Sequence, residues 1–291
     1  MTAGPLAEPH AVEHGRQVRE ELLTLSALPG SPVGPEQARA LLERLPPRAA
    51  LVLPASTLLR HMDLIRRFEA SYADDLMRKP SGKGGIGVTE IDALALSHKR
   101  FQVSIAAPDQ PGLFAVMAGV LALHDLNILS AEVLTWKGPV GWRGGPIAVD
   151  VFVVEEPGEG LYLDDLWQRI RRAIAYALTG KLALEYRLEQ KRESPLAKRS
   201  AAPKGRRKGR VDSDASDFYT LVEVAAPDRL GLLYDLASAL TGLGLTLHLA
   251  RIATSAGRIH DTFYVRGEDG LKVTDPERAE EIRKALLAAA K

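Results

Sequence analysis

The chain has 291 residues, no cysteine and a formal net charge of +1. The lack of cysteine excludes disulfides, thiolate metal sites and cysteine nucleophiles, and we expect a cytoplasmic protein. No apolar run approaches the roughly 20 residues needed to cross a bilayer, and the N-terminus lacks the regions of a secretory signal. The length suits two ordinary domains with additional segments, and we expect no membrane partner.

Helical periodicity dominates residues 1–80. Apolar side chains at helical spacing predict helices near 12–28, 36–45 and 58–77, separated by proline-containing breaks. We therefore expect a helical N-terminal segment over residues 1–80. Residues 81–98 are predicted to form a Gly-rich link and a possible strand.

Residues 99–190 alternate between strand and helix patterns. The predicted strands are 101–105, 127–134, 147–154 and 182–188, and the predicted helices are 112–123 and 163–178. The order is βαββαβ. This order implies a ferredoxin-like domain with two helices on one face of an antiparallel four-stranded sheet.

Residues 191–217 are predicted to be a basic, disordered linker because they contain almost no apolar side chains. Within them, residues 191–210 hold nine Lys or Arg and one Glu. Such a run can contact polyanions. It has no aromatic side chains to stack on bases, so we do not expect a nucleic-acid partner.

Residues 218–291 repeat the domain pattern without its final strand. The predicted strands are 219–225, 245–254 and 258–265, and the predicted helices are 231–243 and 276–289. No room remains for a fourth strand. We therefore expect the open sheet edge to pair with another chain or with residues 84–96.

One nine-residue stretch occurs in both predicted domains. It reads AAPDQPGLF at Ala106–Phe114 and AAPDRLGLL at Ala225–Leu233, an offset of 119 residues (225 − 106). Internal repetition of this kind indicates two copies of one domain.

The repeated stretch resembles the signature of ACT domains, which are βαββαβ modules that bind amino acids and regulate metabolic enzymes. The signature is Asp-x-x-Gly-Leu before the first helix, followed by Asn-Ile or a similar pair at the second strand. Repeat one has Asp109–Leu113 with Asn127-Ile128, and repeat two has Asp228–Leu232 with Thr246-Leu247. The implied fold class is α+β, with two ferredoxin-like ACT domains after a short helical segment.

A closer resemblance covers roughly residues 40–291 and is strongest over 211–276. There the chain is similar to the C-terminal regulatory region of the family of bifunctional PII uridylyltransferases. The segments that carry it are Leu45–Arg48, the His61 helix, Val211-Asp212, Ala215–Thr220, Asp228–Asp235, His248–Ser255 and His260–Val265. The nucleotidyltransferase and HD domains of that family have no counterpart here, so we expect no catalytic residues and no activity of this chain alone.

The two Gly-containing turns are the predicted ligand sites. Glycine permits the turn, the N–H groups of a helix N-terminus hold a carboxylate, and the turn aspartate accepts from an ammonium group. A purely structural turn is the alternative. Asn127 offers an amide that Thr246 lacks, which favours repeat one. The predicted ligand-binding residues are Asp109, Gln110, Gly112, Leu113, Asn127, Ile128, Asp228, Arg229, Gly231 and Leu232.

Four other motifs favour structure over chemistry, and we expect no metal and no cofactor. Gly82–Gly87 fits G-x-G-x-x-G but lacks the strand and helix that dinucleotide binding needs on either side. His124-Asp125 lacks the further His and Asp ligands of metal-dependent phosphohydrolases. Asp212–Asp214 resembles the carboxylate pair of a nucleotidyltransferase but lies in the predicted linker, without the preceding Gly-Ser turn and the rigid sheet that metal-assisted transfer needs. His248 and His260 could face each other across a hairpin, although simple packing is the more ordinary role.

The resemblance implies a regulatory protein of nitrogen metabolism that binds an amino acid, glutamine in the parent family. Paired ACT domains, within one chain or across a homodimer, would pass the signal to a partner with catalytic domains, possibly PII-related. One alternative is the regulatory part of a split or truncated uridylyltransferase. Another is a polyanion-binding adaptor that acts through the basic linker.

Overall fold

The computed structural model describes residues 8–46, 49–78, 85–140, 142, 144–156, 163–194, 205–255 and 257–291. The chain divides into two compact units. The first is Met1–Asp92 with Ser104–Asp109 and Leu134–Val149, and the second is Ala93–Val103 with Gln110–Val133 and Asp150–Lys291. Among the helices of the described part, none combines the length and the apolar character that a membrane span requires.

The elements are numbered in chain order. The helices are α1 Glu8–Ser26, α2 Pro35–Leu42, α3 Ala49–Val52, α4 Ala55–Arg78, α5 Leu113–Leu123, α6 Leu163–Leu178, α7 Leu184–Glu193, α8 Leu232–Gly242 and α9 Pro276–Ala289. The strands are β1 Glu90–Ala95, β2 Arg100–Pro108, β3 Asn127–Trp136, β4 Ile147–Glu155, β5 Lys208–Asp212, β6 Thr220–Pro227, β7 Thr246–Arg251, β8 Thr254–Ser255 and β9 Arg258–Arg266.

In the described part of residues 1–92, four helices form the N-terminal part of the first unit. The three predicted helices are present as α1, α2 and α4, and the short α3 was not expected. The buried stripe of α4 includes Leu58, Met62, Ile65 and Phe68, at the spacing of one helix face. In the same unit, His61 of α4 is fully buried, with its Nε2 3.0 Å from Ser104 Oγ.

The strands form one sheet whose main path is β1-β2-β4-β3-β7-β9-β6-β5, with β8 paired to β9. Every one of these strands has residues in the second unit. The two repeats meet where β3 pairs antiparallel with β7, at Ala131 opposite Ala250. The α+β class with two ACT-type repeats is confirmed, and the pairing of the repeats occurs within a single chain.

The fourth position of each repeat's sheet is taken by a strand that precedes the repeat. β1 lies beside β2, and β5 lies beside β6 at the other end of the path. The β5–β6 ladder is antiparallel and runs from Lys208 opposite Ala225 to Asp212 opposite Leu221. The expectation that the edge of repeat two pairs with another chain or with residues 84–96 is therefore wrong, because β5 covers it.

The predicted fourth strand at 182–188 is also wrong, because this segment lies in and just before helix α7. Leu184 and Leu188 are buried and four residues apart, whereas Tyr186 between them is 58% exposed. Leucines four apart lie on one helix face, and Glu, Arg, Gln and Lys, which fill the rest of α7, are good helix formers. The alternation of apolar and polar residues over 182–188 therefore does not reflect a strand.

The predicted disordered linker is partly ordered. Lys191–Glu193 close α7 and Lys208–Asp212 form β5, while residues 195–204 lie outside the described residues. Backbone pairing with β6 orders β5 without a large apolar surface, and α9 packs against β5.

Candidate functional site

The two signature turns have the same backbone geometry. Gly112 and Gly231 are the N-caps of α5 and α8, with φ of 78° and 69°. This left-handed conformation favours glycine, as the sequence predicts. The preceding aspartates also have equivalent bonds, because Asp109 N–H donates to Pro146 O at 3.0 Å and Asp228 N–H donates to Gly257 O at 2.9 Å.

A cavity of about 210 Å³ in the second unit combines elements of both repeats. We call it the turn cavity. Repeat one supplies the end of α5 and the start of β3, including Asp125, Asn127 and Ile128. Repeat two supplies the whole signature turn, Asp228–Leu233, together with Asp261 of β9.

Three aspartates line the turn cavity, and burial shifts the pKa of two of them, Asp228 and Asp261. Burial raises the pKa of Asp261 to about 7, against the hydrogen bond from Ala253 N–H and with a further contribution from nearby Asp228. Burial also raises the pKa of Asp228, opposed by the N–H and the charge of Arg229. A cationic group placed between these carboxyls would favour ionisation of both.

The N-terminus of α8 forms the opposite kind of surface. The first N–H groups of a helix lack intrahelical acceptors and attract anions. Leu232 and Leu233, the first two helical residues, both line the turn cavity. The cavity thus offers carboxylates for a cation and a helix N-terminus for an anion, which are the two charges of a free amino acid.

The end of α7 holds both sides of the turn cavity. Lys191 Nζ donates to Leu123 O at 2.5 Å and lies 2.8 Å from Asp125 Oδ1, in repeat one. Arg192 Nε donates to Leu230 O at 2.9 Å, and its Nη2 donates to Gly231 O at 3.3 Å, in repeat two. We call this adjacent pair the α7 clasp.

The guanidinium of Arg192 is also anchored through a carboxylate. Its Nη2 lies 2.8 Å from Asp235 Oδ2, and Arg229 Nη1 lies 2.5 Å from the same oxygen. Arg229 reaches on to Ala289 O, near the end of α9, at 2.6 Å. Sequence reasoning missed the clasp because it assigned Lys191 and Arg192 to a solvated linker.

The predicted site residues divide between two places. Six of them line the turn cavity together, namely Asn127, Ile128, Asp228, Arg229, Gly231 and Leu232. The four from the repeat-one turn, Asp109, Gln110, Gly112 and Leu113, do not line it. Asn127 therefore accompanies the turn of the other repeat, although the sequence favoured a site in repeat one.

Asp261 is a cavity residue that was not predicted. The signal was present in the sequence, because Asp150 occupies the same place in repeat one, on the third strand of its repeat. Both aspartates are almost fully buried, at 2% and 1% exposed. A carboxyl at an inward position of a half-buried strand is rarely tolerated without a partner or a function.

The other motifs have structural surroundings. His124 follows the last turn of α5, and Asp125 adopts a positive φ of 62°. Asp212 Oδ1 accepts from the N–H groups of Asp214 and Ala215, each at 3.0 Å, in a local turn. The glycines at 82–84 of the G-x-G-x-x-G motif lie outside the described residues.

His248 and His260 do not face each other. His248 lies at the irregularity of the β7–β9 ladder, where Leu247 pairs with Val265 and Leu249 with Tyr264. Its ring contacts Tyr219, with 5.1 Å between centroids. His260 is exposed and lies opposite Ala225 of β6.

Comparisons with known proteins agree with this fold. Residues 215–291 match the family model of the ACT-like domain of plant bHLH transcription factors. The chain is 34% identical over 190 residues to the bifunctional uridylyltransferase/uridylyl-removing enzyme of Gluconobacter oxydans, covering 65% of this chain and 19% of that enzyme. The enzyme of the same description from Novosphingobium aromaticivorans is 38% identical over 190 residues, covering 65% and 20%.

A solved structure of aspartate kinase from Synechocystis overlaps with a TM-score of 0.35 and 17% identity, covering 78% of this chain and 33% of that one. This overlap is too loose to define function.

The fold, the paired turns and the sequence matches define a chain of tandem ACT-type domains. Within that class, it is homologous to a part of the bifunctional uridylyltransferase/uridylyl-removing enzyme. The chain spans about a fifth of the length of those relatives (19% and 20%). The matched part is the ACT-type regulatory region, so the similarity gives no support to catalysis by this chain alone.

Proposed function

We propose that this chain is a cytoplasmic regulatory protein that binds a free amino acid in the turn cavity, with glutamine as the first candidate. The observation that carries the proposal is the convergence of signature residues from both repeats. Asn127-Ile128 and the Asp228–Leu233 turn come from sequence positions about a hundred residues apart and line one small cavity.

The cavity chemistry matches the two charges of an amino acid. The ligand carboxylate binds at the N-terminus of α8, near the N–H of Leu233, where a negative charge is stabilised. The ligand ammonium lies against Asp228 and Asp261. The side-chain amide of glutamine would pair with the amide of Asn127, since each group offers a donor and an acceptor.

Ligand binding would regulate through the α7 clasp. The clasp joins the repeat-one side of the cavity, at Leu123 and Asp125, to the repeat-two side, at Leu230 and Gly231. A ligand that changes the separation of these sides changes the strain on α7. That response would be read by a partner chain with catalytic domains, and coupling of this type is reciprocal.

Isothermal titration against glutamine, with glutamate and other amino acids as controls, tests the binding. We expect saturable binding that is lost in Gly231→Val and weakened about tenfold or more in Asp228→Asn, as expected for loss of a charge-assisted hydrogen bond. Gly112→Val is the matched control, because it alters the turn outside the cavity. Equal binding by wild type, Gly231→Val and Gly112→Val would contradict the proposal.

The relatives favour a second candidate function, in which the chain is the regulatory part of a uridylyltransferase assembled from separate chains. A PII-type protein would then be the substrate of the partner. Adding this chain to a separately supplied catalytic chain should make uridylyl transfer depend on glutamine. A rate that does not respond to this chain, with and without glutamine, would argue against this second function.

A further inference from the structure

One face of the repeat-two sheet is open to solvent. Residues of β6 and β9 alternate between buried and half-exposed, and α8 and α9 pack against strands of this sheet from the buried side. The half-exposed side chains of β6 and β9 lie on the same side of the sheet as Tyr264. We call this surface the open sheet face.

Cations outnumber carboxylates on the open sheet face. In the described part of this face, the carboxylates are Asp212 and Glu223, with Glu132 on the adjoining β3. Arg210 pairs with Asp212 at 2.5 Å and lies 3.7 Å from Glu223. The cations of the face are Lys208, Arg210, Arg251, Arg258 and Arg266.

The basic edge of this face borders a groove. Arg206, Arg207 and Lys208 are exposed, and they line a groove of about 580 Å³ together with His260 of β9. The groove lining also includes two further cations, Arg210 and Arg283, and two acidic residues, Glu223 and Asp261, so cations remain in excess. Arg258 donates to Arg206 O at 2.6 Å, which ties this edge to β9. A polyanion is the partner that such a groove fits by charge.

Aromatic rings flank the cations on the same face. Tyr219 and Tyr264 meet edge to face with 6.3 Å between centroids. Arg266 lies over the Tyr219 ring at 4.8 Å, and Arg251 lies over the Tyr264 ring at 5.5 Å. Guanidinium planes and aromatic rings are the surfaces on which unpaired bases stack.

We infer that the open sheet face of repeat two binds a single-stranded nucleic acid, with phosphates along Arg206–Lys208 and bases against the Tyr219–Tyr264 cluster. Lys208 and Asp212 are four residues apart on β5. Asp212 lies opposite Leu221 of β6, and Leu221 lies opposite Tyr264 of β9. At about 3.3 Å per residue and 4.8 Å per strand, the two ends of the site are about 16 Å apart, which a few nucleotides can span. The inference rests on a different surface from the amino-acid site around the α8 turn, although Asp261 lines both the groove and the turn cavity.

The Tyr219–Tyr264 cluster provides the aromatic rings that the basic run at residues 191–210 lacks. That run contains no aromatic residue, and this argued against nucleic acid. In the fold, β5 carries the end of the run to within two strands of Tyr264. The like charge of this face also disfavours a second copy of the same face as its occupant.

Fluorescence anisotropy of the full chain with labelled oligothymidylate and oligouridylate of about 20 nucleotides tests the inference. We expect affinity to fall roughly 20-fold between about 50 and 150 mM salt, as four neutralised phosphates predict. Arg206→Glu with Lys208→Glu should weaken binding at least about tenfold. Arg169→Glu with Arg172→Glu, on α6, is the matched control and should bind as wild type does.

Tyr219→Leu separates nucleic acid from other polyanions. We expect it to weaken oligonucleotide binding about fivefold or more and to leave heparin binding unchanged, because only bases stack. Urea unfolding of each variant excludes loss of fold. No oligonucleotide binding at low salt, or equal effects of Tyr219→Leu on oligonucleotide, heparin and polyglutamate, would overturn the inference, and the second result would indicate an acidic protein as the partner.

Discussion

Arg192 of α7 occupies the space that a side chain at Gly231 would enter. A Cβ built on Gly231 would lie 2.8 Å from Arg192 Nη2. The missing side chain therefore has two consequences: it allows the positive φ of the turn, and it lets the guanidinium reach Leu230 O and Gly231 O. A residue of α7, which follows repeat one, thereby takes part in the signature turn of repeat two.

The two turn glycines form a matched pair for testing this contact. Alanine at either position meets the positive-φ penalty of about 1 kcal/mol. At Gly112 a Cβ meets only Thr241 Cγ2 at 3.6 Å. We expect Gly231→Ala to cost about 1 kcal/mol more than Gly112→Ala, because Arg192 must move away from its acceptors. Urea unfolding measures the difference, and equal costs would show that Arg192 adapts freely.

Arg192→Ala should destabilise the chain by about 1–3 kcal/mol, because it removes charge-assisted hydrogen bonds at a site where the Arg192 and Asp235 side chains are only 28% and 19% exposed. Arg192→Lys should recover little, since an ammonium cannot donate in the same fork. The exposed Arg187 of the same helix provides the control, and Arg187→Ala should change the free energy of unfolding by less than about 0.5 kcal/mol. Equal changes in the free energy of unfolding at the two positions would contradict a stabilising role of the α7 clasp.

Asp261 gives the stability a defined pH dependence. Its pKa is raised from 3.8 to about 7, so the folded chain retains a proton that the unfolded chain releases. The stability from this group is complete below about pH 3.8 and is lost as the pH rises through 7. We expect Asp261→Asn to become increasingly stable relative to wild type from pH 4 to 7, with no further gain above.

Urea unfolding across this range, with the exposed Asp217→Asn as control, checks the assignment. A constant difference between Asp261→Asn and wild type from acid to neutral pH would mean that the Asp261 carboxyl titrates normally.

The pH dependence of stability expected from His61 is opposite to that expected from Asp261. Burial, with a smaller contribution from the Arg60 charge, lowers the pKa of His61 from 6.5 to about 4. The unfolded chain then binds a proton that the folded chain excludes, so stability present above pH 6.5 is lost as the pH falls toward 4. His61→Gln should flatten this acid loss, at a cost of about 1–3 kcal/mol near neutral pH for the disturbed contact with Ser104.

The exposed His14 of α1 is the matched position for this experiment. Thermal unfolding of His14→Gln should follow the wild-type pH profile, and an acid loss that persists in His61→Gln would assign it to another group.

Local sequence patterns predicted the elements whose signals are self-contained. Helices 163–178 and 276–289 have the predicted bounds, and the Asp275 side chain caps α9 by accepting from Glu277 and Arg278 N–H. The turns at Gly112 and Gly231 were predicted because their left-handed backbone conformation by itself favours glycine. The prediction of a strand at 182–188 was wrong because the apolar residues at every second position include Leu184 and Leu188, which are four residues apart and therefore lie on one face of a helix.

The candidate site could be predicted only in parts. The ten predicted residues were drawn from each repeat separately, but the turn cavity depends on how the repeats pair, which the Ala131–Ala250 register determines. Nothing in either repeat alone indicates that Asn127 accompanies Asp228. Strand β5 was missed because its order comes from backbone bonds to β6 and not from an apolar pattern of its own.

The early position of β5 shortens the path by which repeat two can fold. β5 ends at Asp212 and its partner β6 begins at Thr220, so the two strands close a loop of only a few residues. A fourth strand placed after α9 would have to return across the entire domain before it gained a single ladder bond. Since loop closure costs entropy that grows with length, and folding slows as contacts become less local, we expect the β5–β6 hairpin to form early and β9 to assemble on it.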